Sequence, residues 1–210
     1  MTNLVWITPE AQKHIAFCAR VSNPENQHNP ETTKLLKYCI KHGHWSVFEM
    51  ASMCVEIKTT RAISAQILRH RSFSFQEFSQ RYAAVDAESI GDINIRVAGT
   101  TNRQSSIVAD LTNEQMEAVA VAEHLRGESF AAYKELVRLG IATECARMYL
   151  PLSTKTTIYM TGTIRSFIHY VMLRCKMDTQ QEHRDIAIGI NNILWDNLPQ
   201  VMQAVEEHWV

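Results

Sequence analysis

The sequence predicts an α+β fold in which a small, twisted, largely antiparallel sheet is surrounded by helices. Stretches with helical spacing of apolar residues outnumber those with two-residue alternation, and the alternating stretches are short and far apart. No repeat or low-complexity segment interrupts the pattern. The 210 residues are 46% apolar and 20% charged, enough apolar surface for one continuous core, and no linker divides them. A single domain over residues 1–210 is therefore expected.

In chain order, Pro9 to Arg20 reads as a helix with Ile15, Phe17 and Cys18 on its apolar side. Residues 23–30 form a polar loop bounded by two prolines. Thr32 to Lys41 reads as a second helix, carrying Leu35, Leu36, Cys39 and Ile40, with Gly43 as its stop. The period then changes: from Ser46 to Lys58, Val47, Glu49, Ala51, Met53, Val55 and Ile57 fall on one side, and Phe48, Met50 and Cys54 on the other. Two apolar faces predict a strand in the interior of the sheet. Helical spacing returns from Arg61 to Arg69. Residues 85–110 are mixed, with a strand-like piece at Ile93 to Val97. Asn113 to Leu139 is the longest helix, closed by Gly140, and Ala142 to Tyr149 is a short one limited by Pro151. Thr156 to Gly162 alternates β-branched and aromatic residues, as strands do. Ile164 to Leu173 and Thr179 to Asn197 complete the helices, and Pro199 starts a last short one.

Lys and Arg total 21 against 22 Asp and Glu, a net charge of −1, so no overall basic field attracts nucleic acid. The first ten residues lack the basic start and apolar run of a signal peptide, and no apolar stretch is long enough to span a bilayer. Five scattered cysteines without CxxC or Cys/His zinc spacing read as reduced, mostly buried thiols of a cytoplasmic protein.

The densest polar stretch runs from Gln66 to Tyr82. It holds Arg69, His70, Arg71, Glu77 and Arg81, with Ser72, Ser74 and Ser79 and interleaved Phe73, Phe75 and Phe78. Gln66, Arg69 and His70 are spaced i, i+3, i+4 and would share one face of a helix end. The arginines offer forked donors to phosphate and the serines add donors, while Glu77 can hold an arginine or accept from a ribose or base. The phenylalanines could stack on bases, as in single-stranded RNA binding, but their alternation favours core anchors of a strand. Residue types alone thus reach a nucleotide site without saying which nucleotide.

Arg69-His70-Arg71, seven residues, then Ser79 resembles the RHR-x7-S motif of flavin-dependent thymidylate synthases, and the likeness continues through Glu77, Arg81 and Tyr82. Upstream, residues 19–22 and the run His42, Gly43, His44, Ser46, Phe48, Glu49 resemble the family's flavin-binding segments. Downstream, Arg147, residues 150–152, Arg165-Ser166, Leu173-Arg174 and Gln181 with His183 resemble its C-terminal segments. The resemblance spans Ala19 to about Ala187, with little of it in residues 85–112.

The resemblance implies the family's own fold and reductive methylation of dUMP to dTMP. 5,10-Methylenetetrahydrofolate would give the carbon, and FAD reduced by NADPH the hydride. It implies FAD binding by Ser22, His44, Ser46, Glu49, Arg69, His70, Arg71, Glu77, Thr163, Arg165 and His169. It implies dUMP binding by Gln66, Arg69, Glu77, Ser79, Gln80, Arg81, Arg147 and Arg174, with Arg174 as the catalytic group that activates the pyrimidine. A cation beside that ring favours ionisation at nitrogen and makes C5 more nucleophilic. Ser79 fits a phosphate ligand better than a nucleophile, because Glu77 is the nearest base and arginines surround it. A homotetramer with shared active sites is implied too, with small-molecule substrates as partners and neither nucleic acid nor membrane. The sequence departs from the family pattern at Met50, Gln76, Thr163-Ile164, His169 and Asp178.

Three rivals remain on the residues alone. A single-stranded RNA-binding module would use the Arg/Phe-rich segment 69–82, but it predicts a basic domain and no acid within the patch. A metal-dependent nucleotide hydrolase would use His42 and His44, yet two histidines are not a metal site. A structural oligomer without chemistry leaves the polar cluster unexplained.

Overall fold

The computed structural model describes residues 1–86, 89–100, 102 and 104–209. Strands are β1 (Thr2–Ile7), β2 (Ser52–Thr60), β3 (Ser74–Glu77), β4 (Val97–Ala98), β5 (Ser106–Ile107) and β6 (Lys155–Thr163). Helices are α1 (Ala11–Ala19), α2 (Thr33–Lys41), α3 (Arg61–Ile67), α4 (Asn113–Arg138), α5 (Thr143–Ala146), α6 (Ile164–Arg174), α7 (Gln181–Asn197) and α8 (Pro199–Trp209). The larger sheet has the order β1-β2-β6-β3, so β2 lies inside it as its two apolar faces require. The chain divides into two compact units: Met1–Ile57 with Leu68–Gln76 and Tyr159–Val210, and Lys58–Ile67 with Glu77–Ile158.

In the first unit, β1 pairs antiparallel with β2 from Thr2 opposite Ile57 to Ile7 opposite Met53, with a register shift between Leu4 and Trp6. Val5 falls at that shift and faces solvent. Met53, Val55 and Ile57 are fully buried. Leu36, Cys39 and Ile40 of α2 are buried too, and α2 packs on α8, whose Val201, Met202, Ala204 and Val205 are shielded from water. Each of the buried Val, Leu, Ile and Met side chains among them contributes about 1.5–3 kcal/mol. Lys37 and Glu207 link the rims of the two helices at 2.7 Å. α6 packs on α7, with Phe167, Ile168, Ile186, Ile190 and Leu194 buried.

In the second unit, Val85, Phe130, Tyr133 and Ala146 form the core, with Ile90, Leu136, Val137 and Leu150 against it. The Tyr133 hydroxyl accepts from the backbone N–H of Val85 at 2.8 Å and fixes the start of the loop that follows the polar segment. α4 begins at a capping box: the Thr112 hydroxyl accepts from the Gln115 N–H, and the Gln115 side chain accepts from the Thr112 N–H. It ends before Gly140, whose φ of +83° only glycine adopts without strain.

Several expectations are corrected. The strand expected from Ser46 begins at Ser52, because Trp45–Glu49 is a short 3-10 helix. Phe48 is buried there and its ring lies 5.8 Å from that of Trp45, the i, i+3 contact of a turn. α1 starts at Ala11, since Glu10 adopts a left-handed φ of 47° that breaks the helical path from Pro9. Residues 93–96 form no strand; Ile93 and Ile95 are exposed and only Val97–Ala98 pairs, with Ser106–Ile107. β1 and the short β4–β5 pair carry too few alternating residues to be read from sequence. All five cysteines are free, but only Cys39 and Cys54 are buried, and Cys145 is exposed.

Candidate active site

The polar segment begins where α3 stops. The helix closes at Ile67, Arg69 stands in the following turn and His70 lies beyond it. The helical face expected for Gln66, Arg69 and His70 therefore does not form. The Phe73 N–H donates to the His70 carbonyl, and burial of Phe73 draws the chain off the helical path. Gln66 belongs to the second unit, Arg69 and His70 to the first. Of the three phenylalanines, Phe73 is a core anchor, Phe75 is half-buried, and Phe78, past the end of β3, is exposed.

All the residues assigned to the flavin except Glu77 lie in the first unit. Glu49 and Arg165 form an ion pair at 2.5 Å. The His169 ring meets the Trp45 ring edge-on at 4.8 Å, which brings α6 to the segment carrying His44 and Ser46. Thr163 caps α6, its hydroxyl accepting from the Ser166 N–H at 3.2 Å. Ser22, His44 and Ser46 are exposed and no hydrogen bond joins them to the other predicted residues; His44 lies instead against Tyr38. Arg20, beside Ser22, is buried and donates to the carbonyls of Asn29 and Glu31, so it braces the loop. Arg69 and Arg71 are exposed and have no hydrogen-bond or ion-pair partner among the described residues.

The centre of this unit is a contact between two predicted residues. Arg174 Nε donates to His70 Nε2 at 3.0 Å. His70 must therefore be neutral at that nitrogen, and burial followed by the Arg174 charge pushes its pKa below the ordinary imidazole value. The same two causes, with Arg165 as the charge, lower that of His169.

The second unit holds most of the predicted nucleotide residues. The Glu77 carboxylate accepts from Ser64 Oγ at 2.5 Å and Thr156 Oγ1 at 3.0 Å, and pairs with Arg61 at 2.6 Å. These contacts engage both carboxylate oxygens of Glu77. Arg81 lies 3.3 Å from Glu144, and the Thr143 hydroxyl holds the Arg81 carbonyl at 2.6 Å. Arg81, Glu144, Cys145, Arg147 and Tyr149 line a cleft of about 670 Å³, and Ser79 and Arg81 line a neighbouring one of about 500 Å³. Gln80 Nε2 and Arg147 Nε are buried donors without a partner among the described residues, an arrangement that favours a ligand bearing acceptors.

Arg61, Ser64 and Thr156 were not among the expected residues. Arg61 and Ser64 sit three apart on α3, a spacing that shows a shared face but not that Glu77 lies opposite. Tyr170 and His183, which surround His70 from α6 and α7, were likewise given no role.

An α+β fold whose polar clusters present arginines and buried donors without partners among the described residues suits a ligand rich in acceptors. The family profile described as thymidylate synthase complementing protein matches residues 3–200. A probable flavin-dependent thymidylate synthase of Paramecium bursaria Chlorella virus 1 is 49% identical over 201 residues, covering 95% of this chain and 92% of its own length. A flavin-dependent thymidylate synthase of Synechocystis sp. is 48% identical over 194 residues, covering 91% and 88%. Among solved structures, the UMP/dUMP methylase PolB of Streptomyces cacaoi, bound with 5-Br dUMP, superposes with a TM-score of 0.82 at 25% identity. That match covers 99% of this chain and 94% of the methylase. The chain belongs to the thymidylate synthase complementing protein family.

Proposed function

We propose that this chain is a flavin-dependent thymidylate synthase, which methylates dUMP to dTMP. The observation that carries the reaction is kinship over nearly the full length with proteins named for it. 5,10-Methylenetetrahydrofolate donates the carbon, and bound FAD, reduced by NADPH, supplies the hydride.

The residues present fit a flavin dinucleotide. Arg69 and Arg71 offer uncommitted guanidinium donors for a diphosphate. His169, Met172, Leu173, Lys176 and Trp195 line a largely apolar cavity of about 770 Å³ that suits a flat ring beside an anion. Ser22, His44, Ser46, Glu49, His70, Thr163 and Arg165 complete the flavin set. The dUMP set is Gln66, Arg69, Glu77, Ser79, Gln80, Arg81, Arg147 and Arg174. Arg81, Arg147 and Ser79 take the phosphate. Glu77, held by Arg61, Ser64 and Thr156, presents an oriented acceptor. Arg174 keeps its Nε on His70, so its terminal nitrogens are the ones that face the pyrimidine and stabilise charge on the ring.

The active enzyme is a cytoplasmic homotetramer with shared sites, acting on small molecules rather than on nucleic acid or a membrane. No described helix is long and apolar enough to cross a bilayer. The test is dTMP formation from dUMP, methylenetetrahydrofolate and NADPH, with and without added FAD. Product that depends on FAD is expected. A folded chain that yields no product and binds no FAD overturns the reading. Light scattering should give the mass of four chains; a monomer would remove the shared site.

A further inference from the structure

His70 and Arg174 rest on a second polar pair that the reaction does not call upon directly. Tyr170, one turn before Arg174 on α6, is buried, and His183 of α7 is buried against it. The Tyr170 hydroxyl lies 3.0 Å from His183 Nε2. The His70 ring stands edge-on to Tyr170, with centroids 5.0 Å apart and planes at 78°, and to His183 at 6.1 Å and 86°. Phe73 closes the other side, its ring 5.9 Å from Tyr170 and 4.8 Å from Phe167.

We propose that Tyr170 and His183 are positioning residues: a buried pedestal that fixes the His70 ring, and through it the guanidinium of Arg174. The inference rests on the reading of Arg174 as the group that activates the pyrimidine. Two apolar side chains would fill this volume without needing each other. The hydroxyl–imidazole bond instead fixes the tilt of the tyrosine ring on which His70 stands. Because Tyr170 and Arg174 sit four residues apart on one helix, holding His70 against the first sets the acceptor for the second. A guanidinium anchored through Nε has lost most of its rotational freedom before substrate arrives.

Charge supports the arrangement. His70 must keep Nε2 bare to accept from Arg174. Arg174 and Tyr170 face it from α6, His183 faces it from α7, and Arg69 and Arg71 flank it on its own segment. Burial, then Arg174 and His70, push the His183 pKa down to about 4, and burial raises that of Tyr170, so both stay neutral at physiological pH. The pedestal therefore adds no second cation beside Arg174.

The test combines side-chain ¹⁵N spectra of the histidines with dTMP formation from about pH 5 to pH 9, a range that brackets imidazole titration. The wild-type chain is compared with Tyr170→Phe, which keeps the ring, and with the double variant Tyr170→Phe/His183→Leu, which removes the polar pair but not its bulk. In the wild type His70 is expected to show a bare Nε2 and a protonated Nδ1. Both variants should lose about 10- to 100-fold in kcat, as a small misplacement of a positioned group does, with FAD content kept. Their acid limb should move up toward the ordinary histidine value, and the His70 signal should become a mixture of tautomers. A wild-type His70 protonated on Nε2 overturns the proposal without any variant. So do folded variants with unchanged kcat, tautomer and acid limb, or a double variant that regains the rate Tyr170→Phe loses. A wild-type chain that makes no dTMP, yet holds this tautomer and loses it in Tyr170→Phe, overturns the reaction and supports the pedestal.

Discussion

At the scale of single residues, the clearest dependence is that of Glu77 on Arg61. A carboxylate prepared by one arginine and two hydroxyls keeps its orientation before a ligand arrives, and charge-assisted hydrogen bonds of this kind contribute about 1.5–3 kcal/mol. Arg61→Ala should therefore raise the KM for dUMP by about tenfold or more, while FAD binding, assigned mainly to the other unit, stays near wild type. Titration of each ligand measures the split; equal losses would mean that Arg61 serves the fold rather than the nucleotide. The histidines give a second prediction. Unfolded, their imidazoles titrate near 6.5, whereas His183 in the fold does so near 4 and His70 and His169 are also lowered. Between those limits the unfolded chain binds protons that the folded chain refuses, so stability is complete above about pH 6.5 and falls as pH drops toward 4. Melting temperatures across that window should fall steadily, and the Tyr170→Phe/His183→Leu double variant should show a shallower fall; an identical slope would place the effect in other groups. The arginines and the histidine of the motif could be read from sequence because their chemistry is written in their side chains. Arg61, Thr156 and Tyr170 could not, because their importance comes from neighbours remote in the chain.

At the scale of elements, helices were the most legible because they carry long stripes and plain stops, as Gly43 and Gly140 with φ of 69° and 83° show. The strand expected from Ser46 to Lys58 begins only at Ser52 for a physical reason. A 3-10 turn eclipses residues at i and i+3, and Trp45 and Phe48 meet by that spacing, while Phe48 and Met50 two apart carry the alternation of the strand that follows. The end of α3 was misread because no glycine or proline marks it; the pull of Phe73 into the core is a tertiary effect. The same phenylalanine makes the element-scale prediction. Gly162 in β6 faces it, and a Cβ there would lie 2.5 Å from Phe73 Cδ1 and 2.8 Å from its Cε1. Phe73 is wedged against Phe167 and Tyr170 and has little room to retreat. Gly162→Ala should destabilise the protein by about 1–3 kcal/mol, the usual cost of overpacking, and should disturb His70, three residues before Phe73. Thermal unfolding checks the first effect and the rate of dTMP formation the second. An unchanged melting temperature would show that Phe73 swings aside freely.

At the scale of the whole molecule, composition excluded more than it specified. A net charge of −1 sets the basic segment 69–82 in a neutral protein, and Glu77 within it is bound to Arg61, which weakens an RNA-binding reading and suits a small anionic ligand. The expectation of one domain concerns cooperativity rather than shape. The chain passes between its two compact units at residues 57/58, 67/68, 76/77 and 158/159, and β2, β3 and β6 each run through one of those points. Neither unit is a continuous stretch of sequence, so unfolding one frees the ends of strands that continue into the other. We propose that the two melt together. Calorimetry should give a single transition whose calorimetric and van't Hoff enthalpies agree within each assembled copy, and added FAD or dUMP should raise its midpoint without splitting it. Two resolved transitions, with FAD shifting only one, would instead assign flavin binding to a unit that is stable by itself, and the chain would then have to be counted as two domains.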